Sequence, residues 1–230
     1  MPADATTLGS LLRELNALKG DFWIRLLYTH PAHWTDELIQ TIAECKKVAR
    51  YIDIPLQHIH ENMLQRMRRE TSQQYIVDLL ARIRAGIPGI AIRTTFIVGH
   101  PGETSADFKE MLSFIERSRF ERAGMFTYSH EEQTHAHTLQ DTLSESEKKN
   151  RANALMEQQY DISLALNTQK IGTQQTVLFD RKESGYWVGR TESDSPEVDH
   201  EVLVKADLVT EPLQGQFKTV TIEDAGPYDL

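Results

Sequence analysis

The sequence predicts an α/β protein in which a parallel sheet with helical connections is followed by a small all-β barrel. From about residue 23 to residue 140, short β-branched or aromatic runs alternate with longer stretches of helical period, a pattern typical of repeated strand–helix units. After residue 168 the pattern changes to short alternating runs separated by glycine and proline. Such closely spaced short strands with turn signals indicate a small barrel.

Four strands are predicted in the first part of the chain, with amphipathic helices between them. The strands are predicted at 23–29, 51–56, 90–98 and 123–128. The helices are predicted at 34–49, 61–69, 73–85 and 105–117. Thr35 is a suitable N-cap for the first of these helices, and Gly86 a suitable end for the third. Strands joined in this way run parallel, so the loops that follow them emerge at one end of the sheet.

The loops after these strands carry eight of the nine histidines of the chain. They are residues 29–33 (THPAH), 57–60 (QHIH), 99–103 (GHPGE) and 129–137 (SHEEQTHAH). Ligands bind at this end of parallel sheets, so the sequence predicts a binding site here. The histidines of the second loop, or those of the fourth loop with Glu131, could also form a zinc cluster. Because His-x-His pairs are common by chance, we predict no metal site.

A long connecting helix is predicted at 144–168, beginning with a capping box formed by Ser144 and Glu147. Beyond it, four short strands are predicted at 175–180, 186–190, 201–205 and 217–222. Glycines and prolines separate these strands, as expected for the turns of a small barrel.

Cys45 is the single cysteine of the chain and shares a helical stripe with Leu38 and Ile42, so it is predicted to be a buried core residue. One thiol excludes an internal disulfide, an all-cysteine zinc site, and an iron–sulfur cluster held by three or four thiolates of this chain.

The chain has 230 residues, enough for one large domain or two smaller ones. No apolar run approaches the roughly 18 residues of a membrane span, and the N-terminal residues lack a signal-peptide pattern, so we expect a cytoplasmic location. The formal net charge of −9 disfavours non-specific attraction to nucleic-acid phosphates and favours a basic partner.

Residues 94–103 (TTFIVGHPGE) form an apolar strand that ends in a Gly-x-Pro-Gly-Glu turn. Apolar strand residues suit a flat adenine, and the two glycines allow a ligand to approach the backbone closely. Similar turns end the fifth strand of radical S-adenosylmethionine (SAM) enzymes. Four further segments match the methylthiotransferase branch of these enzymes: 23–31 (WIRLLYTHP), 53–59 (DIPLQHI), 125–134 (MFTYSHEEQT) and 189–199 (GRTESDSPEVD).

Over about residues 20–230 the sequence therefore resembles radical SAM methylthiotransferases. It resembles the RimO type, which modifies an aspartate of a small-subunit ribosomal protein, more than the MiaB type, which modifies a tRNA adenosine. The resemblance implies an incomplete parallel-stranded TIM-like half-barrel at 1–140, a connecting helix at 141–168 and a TRAM domain at 169–230. A TRAM domain is a small OB-like barrel, here expected to present the substrate.

The resemblance also implies two sets of site residues. SAM binding would fall on Gln57, His58, Phe96, Val98, Gly99, Pro101, Gly102, Glu103 and Tyr128. Substrate binding would fall on the TRAM turn, at Arg190, Thr191, Asp194, Pro196 and Glu197. The sequence departs from the usual family residues at His100, Gln133, His135 and His200.

Relatives carry 4Fe-4S clusters on cysteines that lie upstream of the matched segments, one of them on a CxxxCxxC loop that supports SAM cleavage. This chain has one cysteine. We therefore expect it to be a C-terminal portion, as a truncated product, half of a split gene or a degenerate copy, and to be inactive alone. A separate N-terminal cluster-bearing chain is then an expected partner, beside a basic small-subunit ribosomal protein as substrate.

Two alternatives remain open: a non-catalytic binding module that contains a TRAM domain, and a fragment of a tRNA-modifying, MiaB-type enzyme. Residues 169–230 contain six Lys and Arg against twelve Asp and Glu, a net charge of −6. An acidic barrel repels RNA and attracts a basic protein, so the charge favours the ribosomal protein over tRNA.

Overall fold

The structure is a computed structural model that describes residues 7–230. The chain divides into two compact units, Met1–Gln159 and Tyr160–Leu230. The domain ranges predicted from the sequence, 1–140, 141–168 and 169–230, stay a prediction, and residues 1–6 of the first range lie outside the described residues. None of the described helices has the length and hydropathy of a membrane span.

The first unit is built on a four-stranded parallel sheet whose strand order follows the chain, β1-β2-β3-β4. Its strands are β1 (Ile24–Leu26), β2 (Val48–Asp53), β3 (Ala91–Val98) and β4 (Arg122–Thr127). Its helices are α1 (Leu8–Ala17), α2 (Asp36–Glu44), α3 (Glu61–Arg66), α4 (Gln73–Gly86) and α5 (Ser105–Ser118). This arrangement confirms the predicted parallel α/β sheet, and it brings the loops after all four strands to one end.

The largest differences from the sequence prediction lie in helices α1 and α2. Helix α1 was not predicted, although Thr7 and Ser10 form a capping box at its start. Helix α2 ends at Glu44 rather than at residue 49, because Cys45 is extended and β2 begins at Val48. Ala49 therefore lies in a buried strand and not at the end of the predicted helix. Cys45 is 3% exposed, which confirms its assignment to the core.

Alternation along β3 divides its side chains between two faces. Phe96 and Val98 are fully buried, whereas Thr95 and Ile97 between them are partly exposed on the opposite face. Phe96 packs edge to face against Phe114 and Phe120, with ring centroids 6.3 and 5.9 Å away. The helix-facing side of the sheet is thus the core of this unit.

Helix α6 (Glu145–Thr168) contains the division between the units, and four antiparallel strands follow it in the order β7-β6-β5-β8. These strands are β5 (Gln174–Glu183), β6 (Tyr186–Thr191), β7 (Val202–Lys205) and β8 (Phe217–Thr221). Their core is formed by Val177, Phe179, Trp187, Val202, Leu213 and Ile222. The curled antiparallel sheet confirms the small all-β fold predicted for this region.

Gly86 allows α4 to pack closely on α2. It is the last residue of α4, not the residue after its end as predicted. A Cβ atom on Gly86 would lie 2.4 Å from Cγ2 of Ile39, a branched side chain that is itself buried. The close approach of the two helices therefore requires a residue without a side chain at this position.

Gly86→Ala is expected to lower the free energy of unfolding by about 1–3 kcal/mol, because overpacking outweighs the better helix propensity of alanine. Urea unfolding followed by circular dichroism measures the change. In the double variant Gly86→Ala/Ile39→Ala the new methyl fills the space that Ile39 leaves, so the loss should be smaller than the sum of the single losses. If the loss of unfolding free energy in the double variant equals the sum of the two single losses, this account is contradicted.

Candidate functional site

A cavity of about 540 Å³ lies at the carboxyl ends of β3 and β4 in the first unit. The parallel strands place their following loops at this end, so side chains distant in sequence converge on it. Its lining includes the uncharged residues Gln57, Ile97, Phe126 and Tyr128, two histidines, and four charged residues, Arg66, Arg68, Arg69 and Glu131. The wall therefore combines flat rings and apolar surface with charged groups at its edge, a mixture that suits a small polar ligand with a flat ring.

Gln57 continues the pairing of β2 with β3 beyond the regular strand. Its N–H donates to Thr95 O and its carbonyl accepts from the Ile97 N–H, both at 2.8 Å, although Gln57 itself has a φ of 70°. The side-chain Oε1 of Gln57 is buried and has no hydrogen-bond partner in the structure. Buried acceptors are nearly always satisfied, so this oxygen is an open hydrogen-bond position beside the cavity, which a rotation of the Gln57 side chain would present to a ligand.

Tyr128 and His100 form a second part of the cavity wall, with ring centroids 5.2 Å apart in an edge-to-face arrangement. Burial lowers the pKa of His100 below its usual value, which keeps this imidazole neutral at pH 7. Burial raises the pKa of Tyr128, whose Oη lies 3.2 Å from Nδ1 of His130. The wall is therefore uncharged at these positions.

Two long side chains, those of Lys148 and Arg66, pack against the Gly99–Glu103 turn. Gly99 and Gly102 have φ angles of 78° and 87°, which favour glycine. A Cβ atom on Gly99 would lie 2.3 Å from Cγ of Lys148, and one on Gly102 would lie 2.7 Å from Nη1 of Arg66. In this structure the space that the two glycines leave is filled by protein side chains.

Glu103 closes this turn with a buried ion pair. Its Oε2 accepts the Gly99 N–H at 2.9 Å, and its Oε1 accepts from Nη1 of Arg151 at 2.5 Å. The Glu103 side chain has no solvent exposure and that of Arg151 has 5%. Burial lowers the pKa of Arg151, but hydrogen bonds to Glu103 and Glu147 outweigh it, so the guanidinium stays charged. Helix α6 thus neutralises the carboxylate that shapes the turn.

Lys148 is a second buried cation of α6. Its Nζ donates to Asp141 at 2.5 Å and to Glu145 at 2.8 Å, and it lies 5.4 Å from the centroid of the Tyr128 ring. Burial alone would lower the pKa of Lys148, but the two carboxylates raise it. The pKa of Asp141 is lowered by the same pair, against the effect of its burial. The aliphatic part of Lys148 can therefore cover Gly99 while its charge is satisfied.

The second unit has a smaller cavity, of about 250 Å³, beside the turn after β6. Arg190, Pro196 and Glu197 line it. Thr191 and Asp194 are instead buried, and the Thr191 hydroxyl donates to the Asp194 carboxylate at 2.5 Å. Three of the five residues predicted to bind substrate therefore face one cavity, and the other two stabilise the turn that forms it.

Two family models match the chain: the Radical SAM superfamily over residues 2–115 and the TRAM domain over residues 171–230. The chain is 54% identical over 225 residues to the ribosomal protein uS12 methylthiotransferase RimO of Opitutus terrae. It is 52% identical over 224 residues to the RimO protein of Akkermansia muciniphila. The chain belongs to the radical SAM methylthiotransferase family, RimO type.

These two matches cover 98% and 97% of this chain but 46% and 48% of the relatives, so it spans about half the length of the curated methylthiotransferases it matches. Among solved structures, the radical SAM enzyme coproporphyrinogen III oxidase (HemN) of Escherichia coli matches with a TM-score of 0.50 and 18% identity. That match covers 78% of this chain and 36% of the oxidase, and it shows the fold alone.

Nine residues were predicted to bind the cofactor of a methylthiotransferase, and the structure brings two of them to the cavity: Gln57 and Tyr128. Gly99, Pro101, Gly102 and Glu103 form the turn beside it. Phe96 and Val98 lie in the core on the helix-facing side of β3. His58 is fully buried, with Nδ1 accepting the N–H groups of Ile59 and His60 at 2.9 and 3.0 Å.

Sequence reasoning on the methylthiotransferase motifs missed Ile97, His100 and Phe126, which line the cavity. Ile97 and Phe126 are directly paired neighbours in β3 and β4. Alternation places Thr95 and Ile97 on one face of β3 and Phe96 and Val98 on the other, but it does not indicate which face borders the cavity. His100 was noted only as a departure from the usual family residue.

Arg151→Met is expected to lower the free energy of unfolding by about 3–5 kcal/mol, because it leaves the Glu103 carboxylate buried without a cation. The double variant Glu103→Gln/Arg151→Met should recover much of this loss, since the amide oxygen can still accept the Gly99 N–H. Chemical denaturation measures both.

The matched control for this prediction is Arg82→Met, which breaks an exposed pair with Asp36 and should cost about 0–1 kcal/mol. Equal losses for Arg151→Met and Arg82→Met would show that burial of the Glu103 pair does not matter.

Proposed function

We propose that this chain supplies the SAM-binding sheet edge and the substrate-docking TRAM domain of a RimO-type methylthiotransferase. The substrate would be an aspartate of the small-subunit ribosomal protein uS12, the protein named in the relatives' descriptions. The observation that carries the proposal is the cavity at the ends of β3 and β4, whose wall includes Gln57 with its unsatisfied buried acceptor, where the family is expected to bind SAM.

The cavity residues fit part of a SAM molecule. Gln57 would offer Oε1 to an N–H or O–H donor of the cofactor, and Phe126, Tyr128 and the neutral His100 would offer flat, uncharged rings to its adenine. When bound together with a reduced iron–sulfur cluster, SAM supplies the radical chemistry of this family. In the proposal, the Gly99–Glu103 turn orients this wall.

The remaining residues predicted for SAM binding take supporting roles in the proposal. His58 holds the backbone after β2 by accepting two N–H groups, next to Gln57. Phe96 and Val98 fix β3 against the helices, so that Ile97 between them faces the cavity. Pro101 is buried within the turn. These residues would affect cofactor affinity through the position of the wall.

The residues of this chain do not fit an iron–sulfur cluster. A SAM-binding 4Fe-4S cluster requires three thiolates, and the chain has only Cys45. Cys45 is buried at the end of α2 and does not line the cavity. Its burial also raises the pKa of the thiol, which disfavours the thiolate. We therefore propose that another segment or chain supplies the clusters and that this chain is inactive alone.

Substrate docking is proposed for the cavity beside the turn after β6. Carboxylates outnumber guanidinium groups in its lining, and Arg190 donates to the Asp180 carboxylate at 3.0 Å. The acidic lining and the net charge of −6 over residues 169–230 would attract a basic protein segment and repel nucleic-acid phosphates. This charge favours the protein substrate over tRNA.

The chain should restore SAM cleavage when it is mixed with an N-terminal, cluster-bearing fragment of a RimO relative, measured as 5′-deoxyadenosine. Gln57→Ala is expected to reduce this product about 10-fold or more, because it removes a hydrogen bond to the cofactor. Gln74→Ala, the same change at an exposed position of α4, should have no effect. A mixture no more active than the fragment alone would favour the non-catalytic module instead.

The chain should retain purified uS12 and release it as the salt concentration rises, and it should not retain tRNA. Glu197→Lys places a positive charge at the proposed docking cavity and should weaken uS12 binding severalfold. The matched control Glu211→Lys makes the same change at an exposed position away from that cavity. Retention of tRNA in preference to uS12 would support the MiaB-type alternative.

A further inference from the structure

His30, His33 and Glu70 form a cluster of metal-ligand side chains in the first unit. One potential ligand atom of each residue lies within 4.8 Å of those of the other two. Among residues 7–230, this is the cluster in which three such side chains come close enough to share one metal ion. It differs from the two histidine groups that the sequence suggested, one in the loop 57–60 and one in the loop 129–137. His30 is partly buried, whereas His33 and Glu70 are exposed, so the cluster opens to solvent.

The two histidines are brought together by a short 3-10 turn, Pro31–His33, that follows β1. His30 is the N-cap of this turn, and its carbonyl accepts the His33 N–H at 3.1 Å. Because a 3-10 helix has three residues per turn, side chains at positions i and i+3 lie one above the other. The two imidazole rings are accordingly 5.3 Å apart between centroids.

The backbone of the turn is anchored on both sides, which holds the two histidines next to each other before any ion arrives. Pro31 and Trp34 are buried, and the Tyr75 hydroxyl of α4 donates to the Pro31 carbonyl at 3.2 Å. His30 Nδ1 accepts the Ala32 N–H over 3.3 Å, a long hydrogen bond that the ring can exchange for a metal. Preorganisation of this kind lowers the cost of ion binding.

Glu70 comes from the connection between α3 and α4, so the third ligand belongs to a different loop. Its neighbours hold it in place: the Arg69 N–H donates to Leu64 O at 2.8 Å, and Thr71 is buried. The nearby guanidinium of Arg69 donates from Nη2 to the Pro55 carbonyl at 2.9 Å, and it makes no ion pair with Glu70 within 4.0 Å among the described residues. The Glu70 carboxylate lies near the imidazoles, where its negative charge offsets that of Arg69.

We propose that His30, His33 and Glu70 bind one zinc ion, with solvent completing the coordination. Two imidazole nitrogens and one carboxylate oxygen are a donor set that zinc takes, and three protein ligands with an open position are typical of solvent-accessible zinc sites. Metal–ligand distances of about 2.0–2.1 Å place tetrahedral ligands about 3.4 Å apart. The ligand atoms of the three residues lie within 4.8 Å of one another. Small side-chain rotations of the exposed His33 and Glu70 would bring them to the distance of about 3.4 Å that a tetrahedral zinc ion requires.

Zinc at this site would join the loop after β1 to the connection that leads into α4. Residue 69, next to Glu70, already lines the cavity at the ends of β3 and β4, so the ion would lie beside that cavity. The site goes beyond the proposed function and does not depend on it, because its ligands belong to neither predicted set of site residues.

Zinc binding is tested on the purified full chain after removal of metal with a chelator. Titration with zinc chloride against a chromophoric competitor should show one zinc ion per chain. His33→Ala and Glu70→Gln, both at exposed positions that leave the fold intact, should each weaken zinc affinity at least 10-fold. His137→Ala, an exposed histidine outside the cluster, should bind zinc as the unmodified chain does.

Cobalt substitution gives an independent readout of the ligands. The cobalt-loaded chain should show visible d–d absorption without a sulfur-to-metal charge-transfer band, since Cys45 is not a ligand, and His33→Ala should change this spectrum. Circular dichroism establishes that each variant is folded. The proposal is overturned if the folded chain binds no zinc at a tenfold excess, or if His33→Ala and Glu70→Gln bind it unchanged.

Discussion

The candidate site of the first unit depends on one buried carboxylate. Glu103 has no solvent exposure, and it is tolerated there because Arg151 supplies a positive charge and Gly99 an N–H. An unpaired ion at such a position would be several kcal/mol less favourable. The pair sets the conformation of the turn after β3, and that turn borders the cavity in which Gln57, His100 and Tyr128 meet.

Local patterns in the sequence were sufficient to predict the parallel sheet, the small antiparallel sheet and the buried thiol of Cys45. They were insufficient for contacts between distant residues. The Glu103–Arg151 pair joins positions 48 residues apart, and no local spacing indicates it. In β3, apolar residues stand on both faces, so alternation alone could not show that Ile97, rather than Phe96, would face the cavity.

The glycines of the turn illustrate a related difficulty. A Gly-x-Pro-Gly-Glu sequence predicts positions without side chains, and both Gly99 and Gly102 adopt the left-handed backbone that explains their identity. The sequence does not indicate what fills the space beside them. Here the aliphatic stem of Lys148 and the guanidinium of Arg66 occupy it, so these glycines allow two long side chains to approach the turn as closely as a ligand was expected to.

The first unit needs part of helix α6 in order to fold around its buried carboxylate. Both cations that secure the turn, Lys148 and Arg151, lie beyond residue 140, where the sequence alone suggested that the α/β region ends. A recombinant fragment that stopped at residue 140 would keep every strand of the parallel sheet. It would nevertheless expose the turn after β3 and leave the buried Glu103 carboxylate without a cation. Expression boundaries for this half of the chain should therefore be drawn no earlier than Gln159, where the first unit ends.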